Sequence, residues 1–495
     1  MKTRNAFSCW TSLYGCFLTS LFLLWLPGSG YARIVDPKHT LFLASFVVYA
    51  LGLVALRLRR RPAERVRPLP LLLAGALALT CLISSLLSDY PERVLLGGLR
   101  HEGLVTICIY LAIFCAFHCF GIGEKVISMG IGVALSVNFV LICLQWAGQN
   151  PLGLYPAGMT FHDRGVRYIG EYLGTIGNSD LLSAFLTMGT LLHGGRYLAG
   201  GSRASLCFAV VGWLSVLLTE VLSGLVAVCG ALLLFLPRCV QAGVGGKRFW
   251  HLFGLLALGA AGKLGLQYRY EAGVVSMSWA ANRWVWLLLT VAAICAAVSF
   301  WRRKKAVRAN GRVAWMLTGA MLATAAAVLM FLFCYRGENE TLTALSRLLH
   351  GDPPDTLGSG RIGIWKDAWG LIRQHPIWGG GPDTYALRSD FRFSRVTDSG
   401  VLLQASVDAA HNEYLNTWVN TGLLSLLLLL ALVAGVLLPA FRRPGARTLM
   451  LALACAGYAI HACFGISQSL VTPVFYVLLG CLSFQNKDSF GLRSG

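Results

Sequence analysis

Fourteen apolar runs, most of them close to the length that a helix needs to cross a bilayer, constrain this chain more than any other feature. They lie at about 7–27, 40–56, 68–88, 102–120, 126–147, 175–193, 204–219, 221–236, 251–267, 284–301, 313–334, 414–440, 448–465 and 470–484. About 20 apolar residues in a helix span the hydrocarbon core. Because 56% of the residues are hydrophobic and only 13% are charged, a soluble domain is excluded. The sequence predicts an all-α polytopic membrane protein with about 12–14 transmembrane helices.

The net charge of +20 is explained by membrane topology rather than by nucleic-acid binding. With a cytoplasmic N-terminus, the inner segments hold 25 Lys and Arg residues and the short outer loops hold eight. Lys and Arg in short loops set the orientation of membrane proteins. We therefore expect both termini in the cytoplasm and the loop 335–410 outside.

This loop interrupts the apolar runs and is too long for a simple connector. The spacing of Ile362, Trp365, Trp369 and Ile372 predicts an amphipathic helix from Arg361 to Gln374 that lies along the outer membrane interface. We divide the chain into a helical bundle (1–334), an extracytoplasmic catalytic loop (335–413) and C-terminal helices (414–495), which together form one membrane domain.

Three further sequence features give weaker evidence about topology and chemistry. Lys2 and Arg4 precede about twenty apolar residues, which is long for a signal peptide, so we expect a first membrane span there. The fifteen cysteines include no C-x-x-C pair, which favours packing residues over a metal site or a redox pair. No phosphate-binding G-x-x-x-x-G-K-[ST] motif occurs, which argues against direct use of ATP.

Two groups of residues carry a resemblance to a known family. One is R-x-x-x-W-x-x-A-x-x-x-I-x-x-x-P-x-x-G-x-G followed by H-N-x-x-L, and the weaker one is R-x-x-G with a later G-N. They map onto Arg361, Trp365, Ala368, Ile372, Pro376, Gly379, Gly381, His411, Asn412 and Leu415, and onto Arg167, Gly170, Gly177 and Asn178. In these motifs, spread over about residues 160–440, the chain resembles the O-antigen ligase and polymerase family.

The chain also departs from the family pattern at two places. It has Asn178-Ser179-Asp180 where members often have Asn-Pro-Asn. The stretch 218–224 contains no arginine, although many members have a Ser-Arg pair at a mid-chain membrane boundary. The phosphate-binding role of that arginine would then fall to Arg167, Arg164 or Arg269.

The resemblance implies a membrane glycosyltransferase that moves a glycan from a polyprenyl (undecaprenyl) diphosphate to an acceptor hydroxyl, with inversion and without a metal or cofactor. It implies that His411 is the catalytic base, since an imidazole titrates near neutral pH, and that Arg361 binds the diphosphate. The other expected substrate-binding residues are Arg164, Arg167, Asn178, Asp180, Asn412 and Glu413. The expected partners are the lipid-linked donor, a glycan, lipid or protein acceptor and the lipid bilayer, with no nucleic acid. The active site would face outward from the plasma membrane.

Several alternatives stay open at this stage. The acceptor, and with it the choice between ligase and repeat-unit polymerase, is not determined by the sequence. Two functions of other classes also stay open, namely a transporter or flippase of lipid-linked sugars and a structural scaffold. For single residues, His411 could merely cap a helix, Arg361 could bind lipid headgroups, and His118, His193 and His461 are typical of packing residues.

Overall fold

The computed structural model describes residues 2–59, 67–155, 172–242, 246–269, 274–277, 283–301, 311–355, 357–358, 360–396, 402–442, 445 and 448–486. The long helices are α1 (Lys2–Cys16, continued by a π-helical turn Phe17–Leu21 and by Phe22–Leu24), α2 (Val35–Arg59), α3 (Pro68–Leu86), α5 (Leu104–Phe120), α6 (Glu124–Trp146), α7 (Ser179–Gly200), α8 (Arg203–Leu218), α9 (Leu222–Ala242), α10 (Gly246–Gly265), α11 (Arg283–Trp301), α12 (Gly311–Cys334), α16 (Glu413–Arg442), α17 (Thr448–His461) and α18 (Thr472–Gln485).

The shorter elements lie between them. These are α4 (Pro91–Val94), α13 (Glu340–Leu349), α14 (Arg361–Gln374), α15 (Tyr385–Arg388) and two antiparallel hairpins, β1 (Leu266–Arg269) with β2 (Val274–Met277) and β3 (Arg392–Val396) with β4 (Leu402–Ser406).

A helix lies in each of the fourteen predicted apolar runs. Among the described residues, six helices are both long and apolar enough to cross a membrane: Ala6–Leu24, Val35–Leu58, Pro68–Leu86, Glu124–Trp146, Leu222–Val240 and Glu413–Arg442. The predicted all-α polytopic membrane fold is therefore confirmed.

The best-buried helices are α7, α17 and α18, which are buried on almost every side. Glycines let α7 and α17 approach closely. A Cβ at Gly195 would lie 2.6 Å from Cα of Met450, and one at Gly457 would lie 2.1 Å from a side-chain carbon of Leu191. Small residues at such contacts are typical of helix packing in membranes, where close van der Waals contact replaces the hydrophobic effect.

The helix α14 packs against the loop and against α16. Its residues Ile364, Ala368, Leu371 and Ile372 form a buried cluster with Tyr385, Val407, Ala410 and Val419. The predicted bounds of this helix are confirmed, but its tryptophans do not form one exposed stripe. Trp365 donates its indole N–H to Ala410 O at 3.0 Å, whereas Trp369 is 44% exposed and contacts the edge of the Trp418 ring.

The helix α16 is broken at Gly422, which has φ 85° and ψ 173°. The glycine-rich turn after α14 bonds to this break, because the amides of Gly380 and Gly381 donate to the carbonyls of Val419 and Asn420 at 3.1 and 2.7 Å. The amide of Leu423 in turn donates to Pro376 O at 3.1 Å. A helix interruption at membrane depth requires such partners. The predicted run 414–440 is therefore a short helix followed by the apolar span.

Candidate functional site

Asp180 lies between a histidine and an arginine that are far from it in the sequence. One of its carboxylate oxygens is 3.5 Å from Nδ1 of His411, and the other is 3.6 Å from Nη2 of Arg361. The three side chains are between 17% and 29% exposed, so the group is partly shielded from water but reachable. Three of the predicted site residues are thus brought together.

The position of Asp180 is set by a hydrogen-bonded segment before α7. Gln145 accepts from the amides of Leu173 and Gly174, and Asn138 accepts from the amide of Thr175 at 2.8 Å. The fully buried Lys38 donates to the carbonyl of Thr175 at 2.6 Å.

Asn178 then caps α7 by accepting from the amide of Leu181 at 3.0 Å. An N-cap of this kind contributes about 1 kcal/mol. Asn178, which was predicted to bind substrate, therefore holds the first turn of α7, on which Asp180 lies.

His411 occupies an unusual backbone conformation with φ 45°. A residue other than glycine in this region costs about 1–3 kcal/mol, and such strain clusters at functional sites. The flanking residues hold it there. Trp365 donates to Ala410 O, and Ala410 N donates to Oδ1 of Asn416.

Asn412 accepts from the amides of Tyr414 and Leu415 at 3.1 Å and so caps α16. Like Asn178, this predicted substrate-binding residue is a helix cap. The capping role considered for His411 is thus filled by its neighbour, and the His411 side chain is free to face Asp180.

Arg361 begins α14 and is fixed by the backbone. Its Nε donates to Phe464 O at 3.2 Å, and its Nη1 donates to Gly358 O at 3.0 Å. With Nη2 directed at Asp180, at least two of the five N–H groups of this guanidinium have no hydrogen-bond acceptor among the described residues. They can bind an anion.

His461 also belongs to this neighbourhood. It is 2% exposed, its Nε2 lies 3.0 Å from the hydroxyl of Ser223, and it interacts electrostatically with Asp180. The sequence indicated a hydrogen-bonded packing residue, and the bond to Ser223 agrees with that interpretation. No sequence spacing could connect His461 to Asp180, because the two are on different helices.

A second polar group lies around Glu413. Glu413 is 8% exposed and accepts from the hydroxyl of Tyr458 at 3.0 Å. It lines a cavity with Glu102 and Asp383, and the buried Arg100 interacts electrostatically with all three. Apart from Glu413, the sequence reasoning missed this group. The only indication of this group in the sequence was that the outer segments contain both acidic and basic residues.

Residues 272–430 match the O-antigen ligase family model. The matched range contains Arg361, His411 and Glu413 and does not reach Asp180. The match confirms the resemblance and indicates a membrane enzyme of glycan transfer, with a lipid-linked glycan as ligand. No curated protein matches the chain.

The stretch 218–224, which contains no arginine, contains the acidic residue Glu220. Glu220, with φ 57°, forms an ion pair with Lys263 at 2.6 Å. Of the three predicted substitutes for the missing arginine, Arg164 and Arg167 lie outside the described residues, and Arg269 is the last residue of β1.

Proposed function

We propose that the protein transfers a glycan from undecaprenyl diphosphate to an acceptor hydroxyl on the outer face of the plasma membrane. The observation that carries this proposal is the position of Asp180, with His411 on one side at 3.5 Å and Arg361 on the other at 3.6 Å. A base oriented by a carboxylate, next to an arginine with free donors, suits a reaction in which a hydroxyl attacks and a diphosphate leaves.

His411 acts as the base in this proposal. Its Nδ1 faces Asp180, which leaves Nε2 to take the proton of the acceptor hydroxyl. The acceptor oxygen forms a bond to the anomeric carbon while the bond from that carbon to the diphosphate oxygen breaks on the opposite face, so the configuration inverts. The carboxylate of Asp180 stabilises the imidazolium that forms, as in other carboxylate–histidine pairs.

Arg361 stabilises the leaving group. Negative charge gathers on the diphosphate as the glycosidic bond breaks, and a guanidinium can bind two phosphate oxygens at once. The backbone carbonyls of Gly358 and Phe464 fix the guanidinium before substrate arrives, so little entropy is lost on binding. Arg164 and Arg167 are proposed as further phosphate ligands.

The predicted topology supports an outward-facing site. Asp180 is at the start of α7, His411 precedes α16, and Arg361 is in the loop between α12 and α16. The Lys and Arg bias predicts that all three of these positions are outside the cytoplasm. The acceptor distinguishes a ligase from a polymerase, and the same geometry suits either.

The stereochemistry of the product tests this mechanism. The purified protein would be given a polyprenyl-diphosphate glycan of known anomeric configuration, and the new linkage would be determined by NMR. A single displacement predicts the opposite configuration at the anomeric carbon. A retained configuration would exclude a single displacement from the opposite face and would contradict the role assigned to His411.

A further inference from the structure

A half-open cavity lies beside the first turns of α16, next to the chain segment that carries His411. It encloses about 70 Å³ and opens to solvent, and its polar wall includes Glu102, Asp383, Glu413, Asn416, Thr417 and Ser467. The proposed function uses His411 two residues away but assigns this cavity no role.

Two carboxyl groups in the wall each have an oxygen without a hydrogen-bond donor among the described residues. Glu102 and Glu413 are 7% and 8% exposed. Oε1 of Glu102 accepts from Tyr110 at 2.6 Å, and Oε2 of Glu413 accepts from Tyr458 at 3.0 Å. Both glutamates line the cavity, and the second carboxylate oxygen of each accepts from no described residue. A carboxylate oxygen that no protein group satisfies can accept hydrogen bonds from a ligand, so the cavity is suited to a ligand that donates hydrogen bonds.

Charge restricts the ligand further. Arg100 is the basic side chain that interacts with all three carboxyl groups, yet it also donates to Ser467 O and pairs with Asp408 at 3.5 Å. Burial raises the pKa of Glu102 to about 7 and also raises the pKa of Asp383, despite the nearby Arg100, so negative charge is already disfavoured in this cavity. An anionic ligand would either meet the ionised carboxylates or force them to bind protons, and both effects weaken its binding.

A metal ion does not fit this wall. The His, Cys, Asp and Glu side chains of the described residues form no group of three that could hold one. A sugar residue fits better, since it presents several hydroxyl donors and no charge. The side-chain NH₂ of Asn416, whose oxygen accepts from Ala410 N, can donate to a sugar hydroxyl, and Oγ1 of Thr417, which donates to Glu413 O, can accept from one.

We propose that this cavity binds a hydroxyl-bearing sugar residue without an acidic group and selects against sugars that carry a carboxylate or phosphate. The inference rests on the proposed function, in which the sugar belongs either to the acceptor or to the glycan of the donor. Both sources share the chemistry that Glu102 and Glu413 recognise. The substrate specificity of the enzyme would then depend on these carboxylates as well as on His411 and Arg361.

A matched pair of probes tests the selectivity without requiring catalysis. Binding of p-nitrophenyl β-glucoside and p-nitrophenyl β-glucuronide, which differ by one carboxylate, would be measured by calorimetry on protein in nanodiscs. We expect the glucoside to bind at least about tenfold more tightly, because a like-charge contact disfavours the glucuronide. Equal affinities in the unmodified protein would overturn the proposal.

Isosteric variants connect the selectivity to the two carboxylates. Glu102→Gln and Glu413→Gln remove charge while their amide oxygens still accept from Tyr110 and Tyr458, so each should reduce the glucoside preference by at least about threefold. Glu124→Gln is the control, because Glu124 accepts from Gln485 at the start of α6 and does not line the cavity. An unchanged preference in both cavity variants would refute the proposal.

Transfer kinetics distinguish the two sources of the sugar. A raised KM for the acceptor in Glu102→Gln would place the acceptor in the cavity, and a raised KM for the donor would place the donor glycan there. Unchanged KM values for both substrates would contradict the inference. Selective glucoside binding by a protein that transfers no glycan would instead refute the proposed function and leave the sugar site intact.

Discussion

The Asp180→Asn variant gives a quantitative test of the contact between Asp180 and His411. The change preserves the shape of the side chain but removes the negative charge 3.5 Å from Nδ1 of His411. At that distance, Coulomb's law gives about 1 kcal/mol in water and about 5 kcal/mol at an effective dielectric constant of 20. Because Asp180 and His411 are 17% and 29% exposed, we take an intermediate value of about 2–3 kcal/mol.

This energy corresponds to a rate loss of about 30- to 150-fold. The loss should appear in kcat, since the imidazolium forms only in the transition state. The assay is steady-state kinetics of glycan transfer by the purified variant, in which one substrate is varied while the other is kept saturating. Glu220→Gln provides a matched control, because Glu220 also forms an ion pair, with Lys263, but is 60% exposed, and exposed pairs contribute little. Asp180→Asn with more than half of the normal kcat would refute the role of this carboxylate.

Further predictions concern binding, folding, pH and topology. Arg361→Lys should lose about a hundredfold in rate, nearly as much as Arg361→Ala, since an ammonium cannot reproduce the planar two-donor fork; full activity would leave Arg361 as a headgroup anchor. Gly422→Ala should lower the unfolding temperature in detergent, because its Cβ would lie 2.0 Å from Ile377 O at φ 85°, whereas Gly435→Ala, with nothing within 4 Å, should not. Burial raises the pKa of Glu102 to about 7, so its ionisation should destabilise the folded state as the pH rises from about 4.5 to 7, and Glu102→Gln should reduce that loss in pH-dependent unfolding. In a cysteine-depleted background, Ala386→Cys should react with a membrane-impermeant thiol reagent in intact cells and Arg442→Cys only after permeabilisation; the reverse pattern would overturn the predicted orientation.

The helices could be predicted from the sequence because they depend on local patterns. Apolar runs of bilayer length predicted each membrane helix, and three- and four-residue spacing predicted α14 from Arg361 to Gln374. The break in α16 at Gly422 and its bonds to the glycine-rich turn were not predicted. That break depends on contacts between Gly380 and Val419, which hydropathy does not encode.

The site could be predicted only in part. The sequence indicated His411, Arg361 and Asp180 separately, yet it could not show that they meet, because Asp180 is more than 180 residues from the others. It did not indicate that Asn178 and Asn412 cap helices, and substrate binding by these two residues stays a prediction. It missed Glu102 and Asp383, because the cavity that they line arises from the packing of separate segments, and it missed Arg100, which interacts with both.

The most direct test of the central claim is glycan transfer by the His411→Ala variant in liposomes. The purified protein would be supplied with a polyprenyl-diphosphate glycan and candidate acceptors, and both covalent product and donor binding would be measured. A positioned base contributes about 10²–10⁴-fold, so we predict that transfer falls by at least a hundredfold while donor binding stays near normal. Transfer at the normal rate by this variant would contradict the account, as would movement of the glycan across the bilayer by the unmodified protein without covalent transfer.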